Sequence, residues 1–554
     1  MDANSFASFA DAFDHWAKVY PESCAVTDGK ENWSWLQLQG TSLVVASHVE
    51  ELLQAGPVDV AAILSRRCCL WLAATVGLIR CGVPFVWMGC ELSKGREKEL
   101  QRNEDILETL QPQLILLGPE LPQEMVAQLP KCRTLMLEKA QIPLSPVERR
   151  PQRSNALLCF QLTGGTTGSS KCVEVTQQMA LHELAAYPKT FPELSHEDRV
   201  LQHTPVLWAA SAIGQIDIAV SCGATLCIAD TMDQESIHRH QVTILGCVPS
   251  SLEALQPSEV PRIRWIFTWG EGMPAALAQR WRSGDGVRLV ELLISTEYWL
   301  SLYSEGRHPR SGRSVYKAVP GAEVAVLTTL DENTQQLCQE GTGELCLRGP
   351  MVTTGYRGRA TSFVEATDGA GSYFKTSDIV TVGSNPTLVE FKGRSDMMIK
   401  VGAQFTDLSE TEKRLKEALL PPPENTGSGV AQEVVVLPAG IAVDDTPSND
   451  APAHVFVSVL GAGQRASAAR LLARARALVP NSAALHFLSK PLPKDPLSGK
   501  VDRASLLESV RPTKPEGLAV WPALKAKLKP QGLWLLTLLL AGGLNLTSWL
   551  RSGK

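Results

Sequence analysis

No surplus of positive charge marks this chain. Its 53 lysines and arginines stand against 58 aspartates and glutamates, a net of −5 over 554 residues. Bulk charge therefore offers nothing to a nucleic-acid backbone, and no nucleic-acid partner is expected. The 13 cysteines include no pair at CxxC or zinc-ribbon spacing, which argues against a structural zinc site and for free thiols in a reducing compartment. The start, Met-Asp-Ala-Asn, carries acid early and no apolar stretch, so neither a secretory signal nor an Arg-rich transit peptide is expected. No internal repeat is present.

What is there is a chain long enough for more than one folding unit, with 44% hydrophobic and 20% charged residues. Residues 6–20 and 36–54 carry apolar groups at helical spacing, with Trp33-Ser-Trp35 between them reading as a strand. Then strand-like runs alternate with helices: Val58–Leu64, a helix Leu70–Cys81 ended near Gly82, Pro84–Met88 and Leu114–Leu117. The rhythm recurs at Val242–Val248, Ile263–Thr268 and Val287–Ile294. This predicts an α/β architecture. After about residue 320 short, largely antiparallel strands take over, at Glu323–Leu327, Gly343–Leu347, Ile379–Val382 and Leu388–Phe391. A helix at 409–420, loops at 421–429 and 444–452, strands at Val434–Leu437 and His454–Val459 and a helix at 465–478 predict a small α/β domain. The expected organisation is a large domain over 1–395, a small one over 396–510, a basic linker at 511–531 and a hydrophobic helix at 532–550.

The chemistry concentrates in Thr163-Gly-Gly-Thr-Thr-Gly-Ser-Ser-Lys171, directly after the strand-like Leu157–Leu162. Gly164, Gly165 and Gly168 allow close backbone approach, so successive N–H groups can surround phosphate oxygens. Thr163, Thr166 and Thr167 add hydroxyls, and Lys171 adds a mobile charge. The run lacks the Walker spacing; taken alone it points to phosphate binding, with a flexible surface loop as the alternative.

This run resembles the signature loop of the adenylate-forming superfamily: acyl-CoA synthetases, nonribosomal peptide adenylation domains and firefly-type luciferases. Ser170 and Cys172 depart from that loop's proline and last glycine. Seven further segments resemble the superfamily's motifs in order. They are Leu78–Val86, Trp269-Gly-Glu-Gly272, Ser295-Thr-Glu297, Gly343–Gly349 with Gly355-Tyr356, Phe374-Lys-Thr-Ser-Asp378, Gly393-Arg-Ser-Asp396 with Lys400, and Pro493 through Gly499-Lys-Val-Asp-Arg503.

The resemblance implies ATP and Mg²⁺ as cofactors and a small-molecule carboxylate as substrate. It sets Gly270, Glu271 and Gly272 against the adenine, Thr296 on the α-phosphate and Glu297 on Mg²⁺. Asp378 would grip the ribose, Arg394 would contact the nucleotide, and Asp396 would be the hinge of a mobile small domain. Lys500 would bridge carboxylate and phosphate, with Thr167 steadying the departing pyrophosphate. Each also has an ordinary reading alone: Lys500 as a solvated lysine, Glu297 as a helix cap, Asp378 as the start of a turn.

The residue types fit such a reaction. Attack of a carboxylate on the α-phosphorus gathers negative charge, which preorganised cations and donors stabilise. Glu297 is an oxygen ligand suited to Mg²⁺, and Lys500 is a compact point charge. The expected activity is acid activation as an acyl-adenylate followed by transfer to a thiol, CoA or carrier-protein phosphopantetheine. The carrier would be a separate protein, since Gly542-Gly-Leu-Asn lacks the attachment serine.

Several positions depart from the superfamily's pattern. Leu293 and Ile294 replace a tyrosine and glycine, Ser377 a glycine and Ala403 another, while Leu497 is an insertion. They keep open a non-catalytic, membrane-tethered scaffold that retained the fold. In the acid pocket, Trp208, Ala209 and Ser211 fall where family members select the substrate; Ala209 replaces the aspartate that binds an amino group. These residues suit an apolar or aromatic acid, and plain helix packing fits them equally.

Leu533–Leu550 carries no charge, lies between Trp534 and Trp549, and spans ~27 Å as a helix. With Lys525, Lys527 and Lys529 before it and Arg551 and Lys554 after it, it predicts a tail anchor on the cytosolic face of an intracellular membrane. An interfacial helix, or one packed on a partner, fits as well.

Overall fold

The computed structural model describes residues 6–510, apart from 92–95, 128, 139–155, 164–170, 283–285, 309–312, 330–334, 367–368, 370, 384–387, 402–403, 421–429, 439–452, 461–470, 472, 480–482, 489 and 495–500. Outside the described residues lie the tip of the glycine-rich loop with Gly164, Gly165, Thr166, Thr167, Gly168 and Ser170, as well as Ala403, Leu497 and Lys500. So do the two expected loops, half of the expected helix at 465–478, the basic linker and the hydrophobic segment 532–550. Among the described residues no helix is long and apolar enough to cross a membrane. Residues 1–504 form one compact unit and Ser505–Lys554 another.

Local chemistry sets the first elements. Ser34 accepts the Gln37 N–H at 3.2 Å while the Gln37 side chain accepts the Ser34 N–H at 2.9 Å. This reciprocal cap starts the helix Trp35–Gln54 at the last residue of the expected strand, and the strand is Asn32–Ser34. The helix Cys69–Cys81 is buried along its whole length and stops at Gly82, whose φ of 66° is left-handed.

Two large sheets carry the site. One runs, in spatial order, through Gly355–Tyr356, Cys172–Thr176, Leu157–Leu162, Phe85–Met88, Ala61–Leu64, Leu114–Leu117 and Arg133–Met136. Its last five strands are parallel, and Cys172–Thr176 is antiparallel to Leu157–Leu162. Strands such as Ala61–Leu64 and Leu114–Leu117 are fully buried, as parallel strands covered on both faces must be.

The second sheet is mixed. Cys24–Thr27, Thr225–Ile228, Arg199–Gln202, Ile244–Cys247, Trp265–Thr268 and Arg288–Leu293 are parallel neighbours. From Arg288–Leu293 onward the pairing turns antiparallel, through Leu302–Ser304, Val315–Ala318 and Leu388–Arg394 to Ser372–Val382. The α/β rhythm expected at Val242–Ile294 and the antiparallel region after it are thus one continuous sheet. The strand expected at Ile379–Val382 begins seven residues earlier, at Ser372, because Phe374 and Tyr373 alternate into buried clusters.

Residues 397–488 add a hairpin of Met398–Val401 with Gln404–Asp407, the helix Leu408–Leu419 and a three-stranded sheet of Val430–Pro438, Ala453–Leu460 and Ala484–Leu488. They hold their own apolar cluster, including Leu415, Val436, Val455 and Ala475.

Candidate nucleotide site

The glycine-rich run is the connection of a β-hairpin. Thr163 N–H donates to the Lys171 carbonyl at 2.8 Å, and Lys171 N–H donates to Thr163 Oγ1 at 3.3 Å. These bonds pin the base of the loop between Leu157–Leu162 and Cys172–Thr176. The third strand in line, Gly355–Tyr356, places Tyr356 opposite Val173. The Tyr356 ring then lies 5.1 Å under Lys171 Nζ, a cation–π contact at an exposed lysine.

Tyr356 also reaches the other sheet. Its hydroxyl donates to Glu297 Oε1 at 2.9 Å, and Ser295 Oγ donates to Glu297 Oε2 at 3.0 Å. Burial, then the Glu297 carboxylate, holds the Tyr356 phenol protonated. Ser295, Thr296 and Glu297 follow the end of Arg288–Leu293, and all three are half-buried. This is the carboxyl edge of a parallel stretch, where open α/β sheets take ligands. Each Glu297 oxygen accepts one hydrogen bond and keeps a lone pair, so the carboxylate fits an Mg²⁺ ligand.

The next residue, Tyr298, is buried and donates to Asp378 Oδ2 at 2.6 Å. Burial, then the Asp378 carboxylate, pushes the Tyr298 phenol well above its ordinary range. Asp378 faces Arg394 across adjacent strands, with Arg394 Nη1 at 3.3 Å from Asp378 Oδ1. Asp378 is buried while Arg394 is exposed. The preceding Ser377 holds φ at 64°, a left-handed conformation that favours glycine. Its N–H donates to Glu344 Oε1 at 2.9 Å.

The remaining expected residues divide into two groups. Gly270, at φ 73°, and Gly272 are exposed, and no atom would crowd a Cβ on Gly272. Glu271 between them accepts Ser250 N–H and Oγ–H, both at 3.0 Å, so it ties this turn to the neighbouring strand's end. Trp269 is buried with its indole in a notch between two glycines. A Cβ on Gly214 or on Gly246 would lie 2.6 Å from the ring.

In the segment expected to line an acid pocket, Ala209 and Ser211 are buried, and Trp208 lies 5.1 Å under the Arg102 guanidinium. Trp208 Nε1 and Ser211 Oγ are buried without a hydrogen-bond partner among the described residues. His203, at the end of Arg199–Gln202, hydrogen-bonds the Gly246 carbonyl at 3.0 Å; burial lowers its imidazole to about 4, so it is neutral. Asp396 lies in the short turn Ser395–Met397.

A glycine-rich hairpin, a strand-end glutamate and a buried aspartate facing an arginine therefore converge from two sheets. A family profile described as AMP-binding enzyme matches residues 13–357, which contain the hairpin and Glu297. The chain belongs to the AMP-binding enzyme family. Within it, the nonribosomal peptide synthetase ungA of Aspergillus violaceofuscus is 24% identical over 436 residues, 73% of this chain and 4% of that protein. The delta-poly-L-ornithine synthetase of Acinetobacter baumannii is 26% identical over 426 residues, 73% of this chain and 30% of that protein. The chain thus spans a minor part of the length of these curated relatives.

Solved structures share the fold at lower identity. The anthranilate CoA ligase AuaEII, in complex with anthranoyl-AMP, superposes with a TM-score of 0.69 at 17% identity, covering 92% of this chain and 99% of that one. The o-succinylbenzoate CoA synthetase MenE of Bacillus subtilis gives 0.68 at 20%, covering 89% and 97%.

Sequence reasoning assigned no role to three residues of this candidate site, Ser295, Tyr298 and Tyr356. Tyr298 adjoins a named motif, while Ser295 and Tyr356 stand in motifs read only as family likeness. Their signal was a phenol or hydroxyl beside each carboxylate, but nothing in the sequence said which phenol meets which carboxylate.

Proposed function

We propose that the chain activates a carboxylic acid with ATP and passes the acyl group to a thiol. The observation that carries this reading is the path from Lys171, by a cation–π contact, to Tyr356 and on by a hydrogen bond to Glu297, whose chain neighbour Tyr298 hydrogen-bonds Asp378. It joins a phosphate-type loop to a metal-type carboxylate and a ribose-type carboxylate.

In the first step a substrate carboxylate oxygen attacks the α-phosphorus. A bond forms from that oxygen to phosphorus, the bond to the bridging oxygen breaks, and pyrophosphate leaves with the electron pair. Lys171 and the loop hydroxyls and amides hold the leaving phosphates. Glu297 would hold Mg²⁺, which when bound neutralises phosphate charge. Asp378 accepts the ribose hydroxyls, with Tyr298 and Arg394 fixing its orientation. Lys500 places its charge between carboxylate and α-phosphate, the role the family resemblance assigns it. In the second step a thiolate displaces AMP. The peptide-synthetase relatives support the phosphopantetheine of a separate carrier, and the CoA-ligase fold neighbours support CoA.

Pyrophosphate exchange across a panel of carboxylates tests the reading. At least one acid is expected to support exchange, and Lys500→Ala to cut it by roughly 100-fold or more. Unchanged exchange in that variant would remove the lysine from the mechanism. A second reading, nucleotide binding without turnover, is favoured by Leu293, an aliphatic side chain in place of the family's adenine-stacking tyrosine. Tight Mg²⁺-dependent ATP binding with no exchange for any acid would select it.

A further inference from the structure

Two consecutive residues outside every motif hold the segment that carries Glu297. The helix Gln177–Thr190 follows the strand Cys172–Thr176 directly, capped by Thr176 Oγ1, which accepts the Met179 N–H at 3.3 Å. His182 and Glu183 on this helix are both buried. Glu183 Oε1 accepts the Leu300 N–H at 2.6 Å, and His182 Nε2 meets the Leu300 carbonyl at 2.8 Å. A carbonyl only accepts, so the imidazole carries its proton on Nε2. One peptide unit on each side of Leu300 is thereby gripped by two side chains of one helix.

Leu300 closes the turn that begins at Ser295. On its other side the turn is held by the residues leading to Tyr356. Thr353 N–H donates to the Glu297 carbonyl at 2.9 Å, and Trp299 N–H donates to the Met351 carbonyl at 3.0 Å. Gly355–Tyr356 in turn pairs with Cys172–Thr176, the strand from which the helix starts. The connections form a ring: strand Cys172–Thr176, helix Gln177–Thr190, Leu300, Glu297, Tyr356, and back to the strand. Among the described residues the His182–Glu183 grip closes it on the helix side by hydrogen bonds, beside the packing of Tyr187 on Phe267 and of Phe191 on Tyr303. Without it, the spacing between the phosphate loop and Glu297 rests on the path through Met351–Tyr356 and on apolar packing, which fixes no hydrogen-bond geometry at Leu300.

We propose that His182 and Glu183 are positioning residues that clamp Leu300 and so set the distance between the Lys171 loop and the Glu297 carboxylate. This rests on the reading of Glu297 as the Mg²⁺ ligand. Neither residue touches nucleotide or acid. Their effect should appear in Mg²⁺ dependence, as the partners of a metal ligand commonly act.

The test compares Glu183→Leu, which removes the acceptor, with Glu183→Gln, which keeps it. Glu183→Leu is expected to raise the Mg²⁺ needed for half-maximal pyrophosphate exchange by about ten-fold or more, leaving the KM for the acid little changed. Glu183→Gln is expected to restore the wild-type Mg²⁺ curve. A purely structural role would lower the melting temperature without moving that curve. A folded Glu183→Leu protein with the wild-type Mg²⁺ requirement overturns the clamp. If Glu183→Leu does not fold, His182→Phe, which keeps the ring volume but cannot donate, is read against the same two outcomes. If the wild-type protein exchanges no pyrophosphate with any acid, the activity reading fails by itself. The clamp is then judged by calorimetric Mg²⁺ dependence of ATP binding, where the same shift supports it and its absence overturns it.

Discussion

Ser377 shows how one side chain stores cost beside the site. Its φ of 64° lies where a Cβ crowds the following carbonyl, at a cost of roughly 1–2 kcal/mol relative to a right-handed conformation. The conformation persists because Ser377 N–H is held by Glu344 and Asp378 N–H by Thr376 Oγ1 at 3.1 Å. The bend directs Asp378 inward to Tyr298. Ser377→Gly relieves the strain but frees the unfolded chain, which offsets part of the gain. A net stabilisation of up to about 1 kcal/mol is expected, read from the urea midpoint, with nucleotide affinity unchanged. A loss of stability would mean the serine makes a contact that outweighs its strain.

The notch under Trp269 is a property of three elements. The helical segment that follows Trp208 breaks at Ile213 and Gly214, with Gly214 at φ 78°. Gly246 lies in Ile244–Cys247, and Trp269 follows Trp265–Thr268, its parallel neighbour. Gln215 locks the arrangement, donating to the Gly246 carbonyl and to Thr204 Oγ1, both at 2.8 Å. The indole fits because neither glycine has a Cβ. Gly214→Ala therefore meets both a left-handed φ and a contact of 2.6 Å. A loss of roughly 2–4 kcal/mol is expected, measured by urea unfolding. Adding Trp269→Ala should remove the steric share but not the backbone share, so the double variant should lose less than the sum of the singles.

At the scale of the whole molecule, stability is tied to buried acid groups. Glu183 and Asp217 are both buried, and Asp217 lines a cavity with Trp299 and Cys159. Burial pushes the Glu183 carboxyl up to about 8, with the Leu300 N–H opposing part of the rise, and burial, then the Glu183 charge, pushes Asp217 well above its ordinary range. For Glu183 the folded state keeps a proton that the unfolded chain releases near 4.5. Its contribution to stability is complete below that pH and is lost as pH rises through about 8. The wild-type urea midpoint is therefore expected to fall between pH 5 and pH 8, and Glu183→Gln, which cannot ionise, to flatten that fall. An equal slope in both proteins would show that Glu183 does not titrate over this window.

Much of the fold was legible in the chain because its signals are local. Alternating buried strands and amphipathic helices, the stop at Gly82 and the ordered motifs all lie within short windows. The joining of parallel and antiparallel strands into one sheet was not legible, because pairing partners such as Ser372–Val382 and Gly341–Arg348 are chosen by packing rather than by either strand's own pattern. The early start of Ser372–Val382 has the same cause.

By itself the sequence determined which groups are available: the loop donors, the carboxylates Glu297 and Asp378, and the family to which the chain belongs. Only the tertiary structure decided how they are joined. Tyr298 meets Asp378 across 80 positions of chain, Tyr356 meets Glu297 across 59, and Glu183 meets Leu300 across 117. Those distances in sequence carry no local signal. A buried carboxylate must find a donor wherever the sheets bring one, because leaving it unpaired costs more than the ordering of the contact.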